Sequence, residues 1–532
     1  MMNIRLIYLI VLVVVLGACE AEELPEPRPN IVLFFVDDMG WQDTSVPFWD
    51  QTTPFNELYY TPNMERLAAD GVKFTQAYST AVCTPTRVSL MTGMNAARHR
   101  VTNWTLRKDS IQPMEKNHPT LEFPLWNVNG LSPVSGDPRA VYATPLPQVL
   151  NESGYYTVHA GKAHFGALGT PGADPLNLGF DVNIAGHAAG APASYHGTDN
   201  FGNGVEGKEI WAVPSLEKYH GKSVHLTEAI TQEALMSLDT AVTTQQPFFL
   251  YMAHYAVHTP IMAHDHYVQK YFEKGMDSTE AKYASMVEGM DRSLGDIMDY
   301  LEDRKIAENT IILFTSDNGG LSAVARGGEK HTHNKPLASG KGSVYEGGIR
   351  EPMLVKWPGK AAPGTSSDVQ LIIEDFYPTI LEMAAVDGYE TVQTVDGISF
   401  VSVLKNAEMN VEEVNEEEKG EDKEEVKVAT VERPLFWHYP NEWGPDGPGI
   451  GASSAVRQGD WKFIYYHADR RMELFNLKLD IGETKNLMEE NPEKGEELAA
   501  VLTNHLKVVK AQMPTDKSTQ LPVEYPLELL VQ

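Results

Sequence analysis

The sequence predicts an α/β protein: a large, mostly parallel sheet sandwiched by helices, with a smaller α+β domain toward the C-terminus. Three observations carry this reading. Short apolar runs of strand length alternate with helical patterns over residues 30–407. The chain, at 532 residues, is long enough for a large core and more than one domain. An acidic stretch at 408–432 then breaks the alternation, and β-like stretches follow it.

Each element has its own signal. The run 31–36 is apolar throughout, as a strand covered on both faces requires, and it stops at Asp37-Asp38. Residues 62–69 open on Pro62 and end before Gly71, the start and stop signals of a helix. Residues 85–91 read as a second helix, closed near Gly93. Residues 155–159 read as a short strand leading into Gly161, Lys162, Ala163 and His164, and 248–252 as another leading to His254 and His258. A long amphipathic helix occupies 279–301. The apolar strand 310–315 stops at Asp317-Asn318. Segment 408–432 holds eleven acidic residues against three lysines and few large apolar side chains, the composition of a solvated, disordered linker. Strands at 435–439 and 462–466 and a final helix at 492–510 make up the C-terminal domain, 433–532. There are no internal repeats.

Composition narrows the function. The chain is 42% hydrophobic and 22% charged, ordinary for a globular protein, but its net charge is −30. That excess argues against nucleic acid as a partner, which needs basic patches. An anionic ligand would need positive charge supplied locally by its site. At the N-terminus, Arg5 precedes an apolar run, 6–16, too short to span a membrane. The run ends in Leu16-Gly17-Ala18-Cys19, which resembles a bacterial lipobox, with lipid attached to Cys19 after cleavage. The expectation is a signal peptide at 1–18, a Pro/Glu-rich tether at 19–29, and an exported protein lipid-anchored in the bacterial cell envelope, at the outer membrane on its periplasmic or cell-surface side. No second long apolar run exists, so membrane contact is expected through the lipid only. The sequence has two cysteines, and lipidation of Cys19 leaves Cys83 without a disulfide partner.

Four of the proposed strands end in unusual polar clusters: Asp37-Asp38, Lys162/His164, His254/His258 and Asp317-Asn318. In open α/β sheets, ligands bind beyond the carboxyl ends of the strands, so parallel strands would bring these clusters to one rim. Adjacent acids after a strand are often only turn residues or helix caps. Two such pairs closing two apolar strands point instead to a metal. Asp37, Asp38, Asp317 and Asn318 offer oxygen donors alone, a set that suits calcium, with magnesium the other hard cation it could hold.

Cys83-Thr84-Pro85-Thr86-Arg87 places a thiol before x-Pro-x-Arg at a helix start. It resembles the segment that maturation enzymes oxidise to formylglycine in type I sulfatases. The run 154–164 looks like the second signature of that family, departing from it at Ala163, where the family often has an aromatic residue. Residues 314–319, with Asp317 and Asn318, are similar to its second metal-binding segment. Residues 340–348, around Lys341, are similar to its sulfate-binding lysine segment. His258-Thr259-Pro260 matches its distal histidine segment, and 455–462 resembles the start of its closing sheet. These segments run from about residue 30 to 487. The chain thus resembles the formylglycine-dependent sulfatases of the alkaline phosphatase superfamily, bacterial polysaccharide sulfatases among them, and that fold is implied.

The resemblance implies a role for each residue. Asp37, Asp38, Asp317, Asn318 and residue 83 would hold the cation. Hydrated formylglycine at position 83 would attack sulfur through one hydroxyl and release sulfate through loss of the proton on the other, a release that serine could not achieve. Lys162 and Lys341 would stabilise the sulfate oxygens. His164 is the implied base, His258 the implied acid for the leaving oxygen, and Arg87 would hold the diol. The implied partners are a sulfated glycan and a formylglycine-generating or anaerobic sulfatase-maturating enzyme, and the catalytic domain would be 30–407. Substrate contacts are expected from irregular loops: Arg98, His99 and Asn103 after the nucleophile helix, and His438, Tyr439 and Trp443 in the second domain. Such side chains suit a sulfated marine polysaccharide or oligosaccharide. His254 is expected to be a packed residue, and His331 and His333 to lie at the surface. Two other readings remain open: a phosphoester or phosphonate monoester hydrolase of the same superfamily, and an inactive lipid-anchored glycan-binding protein.

Overall fold

The structure is a computed structural model that describes residues 27–111, 118–405 and 433–531. The leader at 1–18, Cys19 and the acidic linker 408–432 lie outside the described residues. Among the described residues, the central sheet has nine strands. They are β1 (Asn30–Val36), β2 (Val72–Tyr78), β3 (Tyr156–Gly161), β4 (Val182–Ile184), β5 (Phe248–Ala253), β6 (Thr310–Ser316), β7 (Arg350–Lys356), β8 (Thr365–Ser367) and β9 (Leu371–Ile372). Their order is β8-β2-β7-β6-β1-β5-β3-β4, with β9 also on β2. Of these nine, only β7 is antiparallel to its neighbours, so the sheet is mixed. The chain leaves β6 at the carboxyl end of the sheet and does not cross back before Arg350, so β7 must run down from the same rim.

Both faces of the sheet are covered. Along β1, Val32, Phe34 and Val36 enter one core, while Ile31, Leu33 and Phe35 enter the other. That alternation explains why the strand reads as an unbroken apolar run. The first core is closed by α1 (Pro62–Asp70), α3 (Leu226–Thr244) and α4 (Ser278–Asp303). The second is closed by α2 (Cys83–Thr92) and α5 (Phe376–Met383). Asp277 caps α4 by accepting from the backbone N–H groups of Thr279 and Glu280.

The C-terminal region is a separate antiparallel sheet of β10 (Leu435–Tyr439), β11 (Ser453–Gln458), β12 (Trp461–Tyr466) and β13 (Met472–Asn476). Leu498, Leu502 and Leu506 of α6 (Pro492–Val508) cover one face, against Val456, Phe463 and Leu474. Its other face docks on the main sheet, where Trp437 and Ile464 meet Tyr78 and Ile349. Trp437 Nε1 donates to the Ser79 carbonyl at 2.7 Å. Buried Glu346 takes Lys462 Nζ at 3.0 Å and the Tyr78 hydroxyl at 2.7 Å, pinning the two sheets together.

Asn95 spans the same seam, donating to Glu374 Oε1 at 2.9 Å and to the Phe436 carbonyl at 3.1 Å. Burial, and then the neighbouring Asp375, push the Glu374 carboxyl up to about 8. Its contribution to stability is therefore full below the ordinary value of 4.5 and is lost as pH rises through about 8. A tenfold difference in proton affinity between folded and unfolded chain corresponds to about 1.4 kcal/mol. Glu374→Gln, which keeps the acceptor for Asn95, is expected to raise stability at alkaline pH and flatten this decline. Urea unfolding across that range checks it; parallel pH profiles for the two proteins would contradict it.

Candidate active site

β6, β1, β5 and β3 are adjacent and parallel, so their carboxyl ends form one rim. Asp37 and Asp38 follow β1, Asp317 and Asn318 follow β6, Lys162 and His164 follow β3, and His258 lies beyond β5. Cys83 is the first residue of α2, a helix buried along its whole length. Asp38 and His164 both adopt left-handed backbone, with φ of 60° and 53°, a conformation that non-glycine residues enter at a cost of about 1 kcal/mol or more. Before Lys162 only glycine fits: Gly161 has φ +111°, and a Cβ there would lie 1.9 Å from the Ala253 carbonyl.

The charged groups interlock. Lys162 Nζ sits 2.7 Å from Asp37 Oδ2, and Lys341 Nζ 2.6 Å from Asp38 Oδ1. Arg87 directs Nε and Nη2 onto Asp317 Oδ2 at 3.0 and 2.9 Å, and Nη1 onto the Lys162 carbonyl at 2.9 Å. Burial drives the Asp37 carboxyl well above its usual range, reinforced by Asp317. For Asp38 burial also pulls upward, but Lys341, His258 and Lys162 outweigh it and hold the group below its usual range. Arg87, Lys162 and Lys341 thus face three carboxylates in a closed, charge-balanced cluster.

Three oxygens in that cluster have no hydrogen-bond partner among the described residues: Asp37 Oδ1, Asp38 Oδ2 and Asn318 Oδ1. Asn318 spends its Nδ2 on Asp38 Oδ1 at 2.8 Å, so its carbonyl is the end left over. Buried bare acceptors are costly, about 1–3 kcal/mol each, unless something positive meets them. Carboxylate and amide oxygens of this kind fit a hard divalent cation. Asp37, Asp38 and His258 also bring ligand atoms within 4.8 Å of one another.

The two histidines are oriented. His164 Nε2 lies 2.8 Å from the Thr105 carbonyl, which can only accept. The proton therefore sits on Nε2, and the bare Nδ1 faces Cys83 Sγ at 3.4 Å. Burial, then Lys162, holds His164 well below the usual histidine range. His258 Nδ1 faces the Thr259 carbonyl at 2.9 Å, and its Nε2 lies 3.6 Å from Asp38 Oδ2. Burial, then Lys341, pulls His258 down to about 3. Burial raises the Cys83 thiol.

Above this floor opens a cavity of about 570 Å³. Cys83, His164, His258 and Lys341 line its base, and Trp104, Trp211, Trp443 and Lys208 line its walls. Of the six substrate contacts expected from sequence, Trp443 alone is among the lining residues. Arg98 is instead paired with Asp396 at 2.7 Å. His99 is buried between Ser89 Oγ and the Val101 N–H, each at 3.0 Å. His438 is buried between Ser454 Oγ and the Gln512 carbonyl. These three are satisfied internally and do not reach the cavity. Asn103 accepts from the Tyr439 hydroxyl at 3.1 Å and from the Trp104 N–H at 2.9 Å, a layer behind the wall. Trp104, Trp211 and Lys208 were missed from sequence; Trp104 sits in an irregular stretch, and Lys208 and Trp211 flank and close a single 3-10 turn, Glu209–Trp211, too short to carry a periodic signal. His254 is packed, with Nε2 2.8 Å from Ser293 Oγ. His333, expected at the surface, is buried against Ser322 Oγ and the Gly327 carbonyl.

A parallel-strand rim that packs acids, lysines and two histidines around one helix-terminal cysteine, at the floor of an open cavity, suits a hydrolase for anionic esters. The chain belongs to the sulfatase family: the family model described as Sulfatase matches residues 29–386. It is a sulfuric ester hydrolase. A sulfatase of Formosa agariphila is 30% identical, across 94% of this chain and 92% of that protein. The N-acetylgalactosamine-6-sulfatase of Canis lupus familiaris is 30% identical, across 82% of this chain and 76% of that protein. The crystal structure of Ps i-CgsB has 26% sequence identity and a TM-score of 0.67, covering 91% of this chain and 93% of that one.

Proposed function

We propose that this sulfatase removes sulfate from a sulfated polysaccharide or oligosaccharide, using formylglycine formed from Cys83 and a bound calcium ion, with magnesium the alternative cation. The observation that carries the reading is the position of Cys83, beneath the aromatic cavity, with the bare Nδ1 of His164 turned toward it. Relatives point the same way: Ps i-CgsB has been crystallised in complex with k-i-k-neocarrahexaose, at 25% identity to this chain. When bound, the cation supplies positive charge to the sulfate oxygens and to the nucleophile. Asp37, Asp38, Asp317 and Asn318 would hold it.

The chain's own groups do the rest. Lys162 and Lys341, fixed by their carboxylates, present ammonium groups to the sulfate without reorganising. The hydroxyl of the hydrated residue 83, its proton released to solvent, attacks sulfur; the bond from sulfur to the leaving oxygen breaks, and that oxygen takes a proton from His258 Nε2. An anion bound beside Lys341 would offset that lysine's part in depressing His258, which adds to the effect of burial. His164 Nδ1 then accepts the proton from the remaining hydroxyl of residue 83, the aldehyde re-forms and sulfate departs. Trp104, Trp211 and Trp443 offer apolar faces for sugar rings, and Lys208 a counter-charge for a further acidic group.

The test separates the histidines. His258→Ala should lose about 10²–10⁴-fold on sugar sulfates, whose leaving groups need a proton, and far less on activated aryl sulfates. His164→Ala should slow release for every substrate and let the sulfated enzyme accumulate, visible by mass spectrometry. Equal losses of His258→Ala on both substrate types, with no trapped intermediate in His164→Ala, would overturn the assignment and make Lys341 the next candidate acid.

A further inference from the structure

We propose that the protein carries a second metal site, for a divalent transition-metal ion such as zinc, formed by Glu228, His264 and His266. Glu228 Oε1 lies 3.6 Å from His264 Nε2 and 3.4 Å from His266 Nδ1. These spacings are longer than good hydrogen bonds. They match the separation of two ligands on one tetrahedral ion, about 3.3–3.4 Å for donors about 2.0–2.1 Å from zinc. All three donor atoms lie within 4.8 Å of one another.

His264 supplies an independent argument. It is 1% exposed, and neither of its ring nitrogens has a hydrogen-bond partner among the described residues. A buried imidazole aimed at a carboxylate it does not hydrogen-bond is a group awaiting a ligand. Its placement is built. The His264 backbone N–H donates to Ser285 Oγ on α4 at 2.9 Å, and its ring lies over Gly289, where a Cβ would come within 2.4 Å of it. Glu228 is held too, its Oε2 accepting the His225 N–H at 3.0 Å in the cap of α3, so Oε1 is the oxygen left for an ion. His266 is 64% exposed and gives access from solvent.

The donor set differs from that of the active site. Two imidazoles and one carboxylate select borderline ions such as zinc, whereas the oxygen set at the rim selects calcium or magnesium. The ion would also have a mechanical role. His264 follows His258 by six positions on one loop, and Glu228 belongs to α3. Metal at this site would tie the loop bearing His258 to the helix layer beneath it.

Zinc binding to the tag-free full chain, stripped by chelator and then saturated with calcium, tests the proposal by calorimetry. One equivalent of zinc should bind without displacing calcium, and both His266→Ala and Glu228→Gln should weaken it at least tenfold. The first variant removes a mostly exposed ring and the second keeps the cap acceptor, so both should fold. X-ray absorption at the zinc edge should show a mixed nitrogen and oxygen shell. No binding by the wild type, or unchanged affinity in His266→Ala, would overturn it.

Discussion

Cys83→Ala is expected to abolish sulfatase turnover, with a fall of at least about 10³-fold in kcat, since no other described group at the cavity floor can form and release the sulfated intermediate. Cys83→Ser should fail differently. Its hydroxyl can attack once, but it has no second hydroxyl from which sulfate can be expelled, so the enzyme should stall as a serine sulfate ester. Peptide mass spectrometry of position 83 from a host with a maturation enzyme should find the aldehyde. Full turnover by either variant would show that the nucleophile lies elsewhere. Unmodified thiol in a host lacking that enzyme, together with an inactive preparation, is the expected control.

Removal of the rim cation is expected to have an effect of similar size. Chelation should extinguish activity, and calcium should restore it better than zinc. Asp317→Ala should be worse than chelation, because it also leaves the fully buried Arg87 guanidinium without its carboxylate. Stranding a buried charge in this way typically costs about 3–5 kcal/mol. Activity assays after re-addition of each metal, paired with unfolding of Asp317→Ala, separate the two losses. Elemental analysis of active enzyme should find calcium or magnesium. It is best read in His266→Ala as well, since zinc held by the histidine cluster would otherwise be counted against the rim. Stoichiometric zinc and no alkaline-earth ion in that active variant would refute the assignment.

Much of the fold was legible because the sheet is covered on both sides. Strands such as β1 and β6 become unbroken apolar runs, and the polar residues that close them stand out. Parallel pairing then carries Asp37, Asp38, Lys162, His258 and Asp317 to one rim without any knowledge of side-chain geometry. β7 was not legible, because Arg350, Glu351, Pro352 and Lys356 leave only a short apolar stretch between them. The cavity wall was not legible either. Trp104 comes from an irregular segment and Trp211 from a single short 3-10 turn, and tertiary packing alone places them together. Arg98, His99 and His438 looked available as polar groups in loops or a second domain. Their partners Asp396, Ser89 and Gln512 lie at other points of the chain, and no local pattern announces them. The same holds for His264 and His266, whose spacing is visible but whose carboxylate, Glu228, arrives from a distant helix.

The burial of α2 sets an order of events in the life of the molecule. Cys83 is 3% exposed, and Pro85 and Arg87, the other fixed points of its motif, are buried with it. A folded chain offers no peptide for another enzyme to grip. The proposed oxidation of the thiol would therefore have to happen while the segment is still extended, in competition with collapse of the sheet over it. On that proposal, each copy would keep whichever residue it carried once the core closed, and the specific activity of a preparation would become a record of how that race was run during biosynthesis.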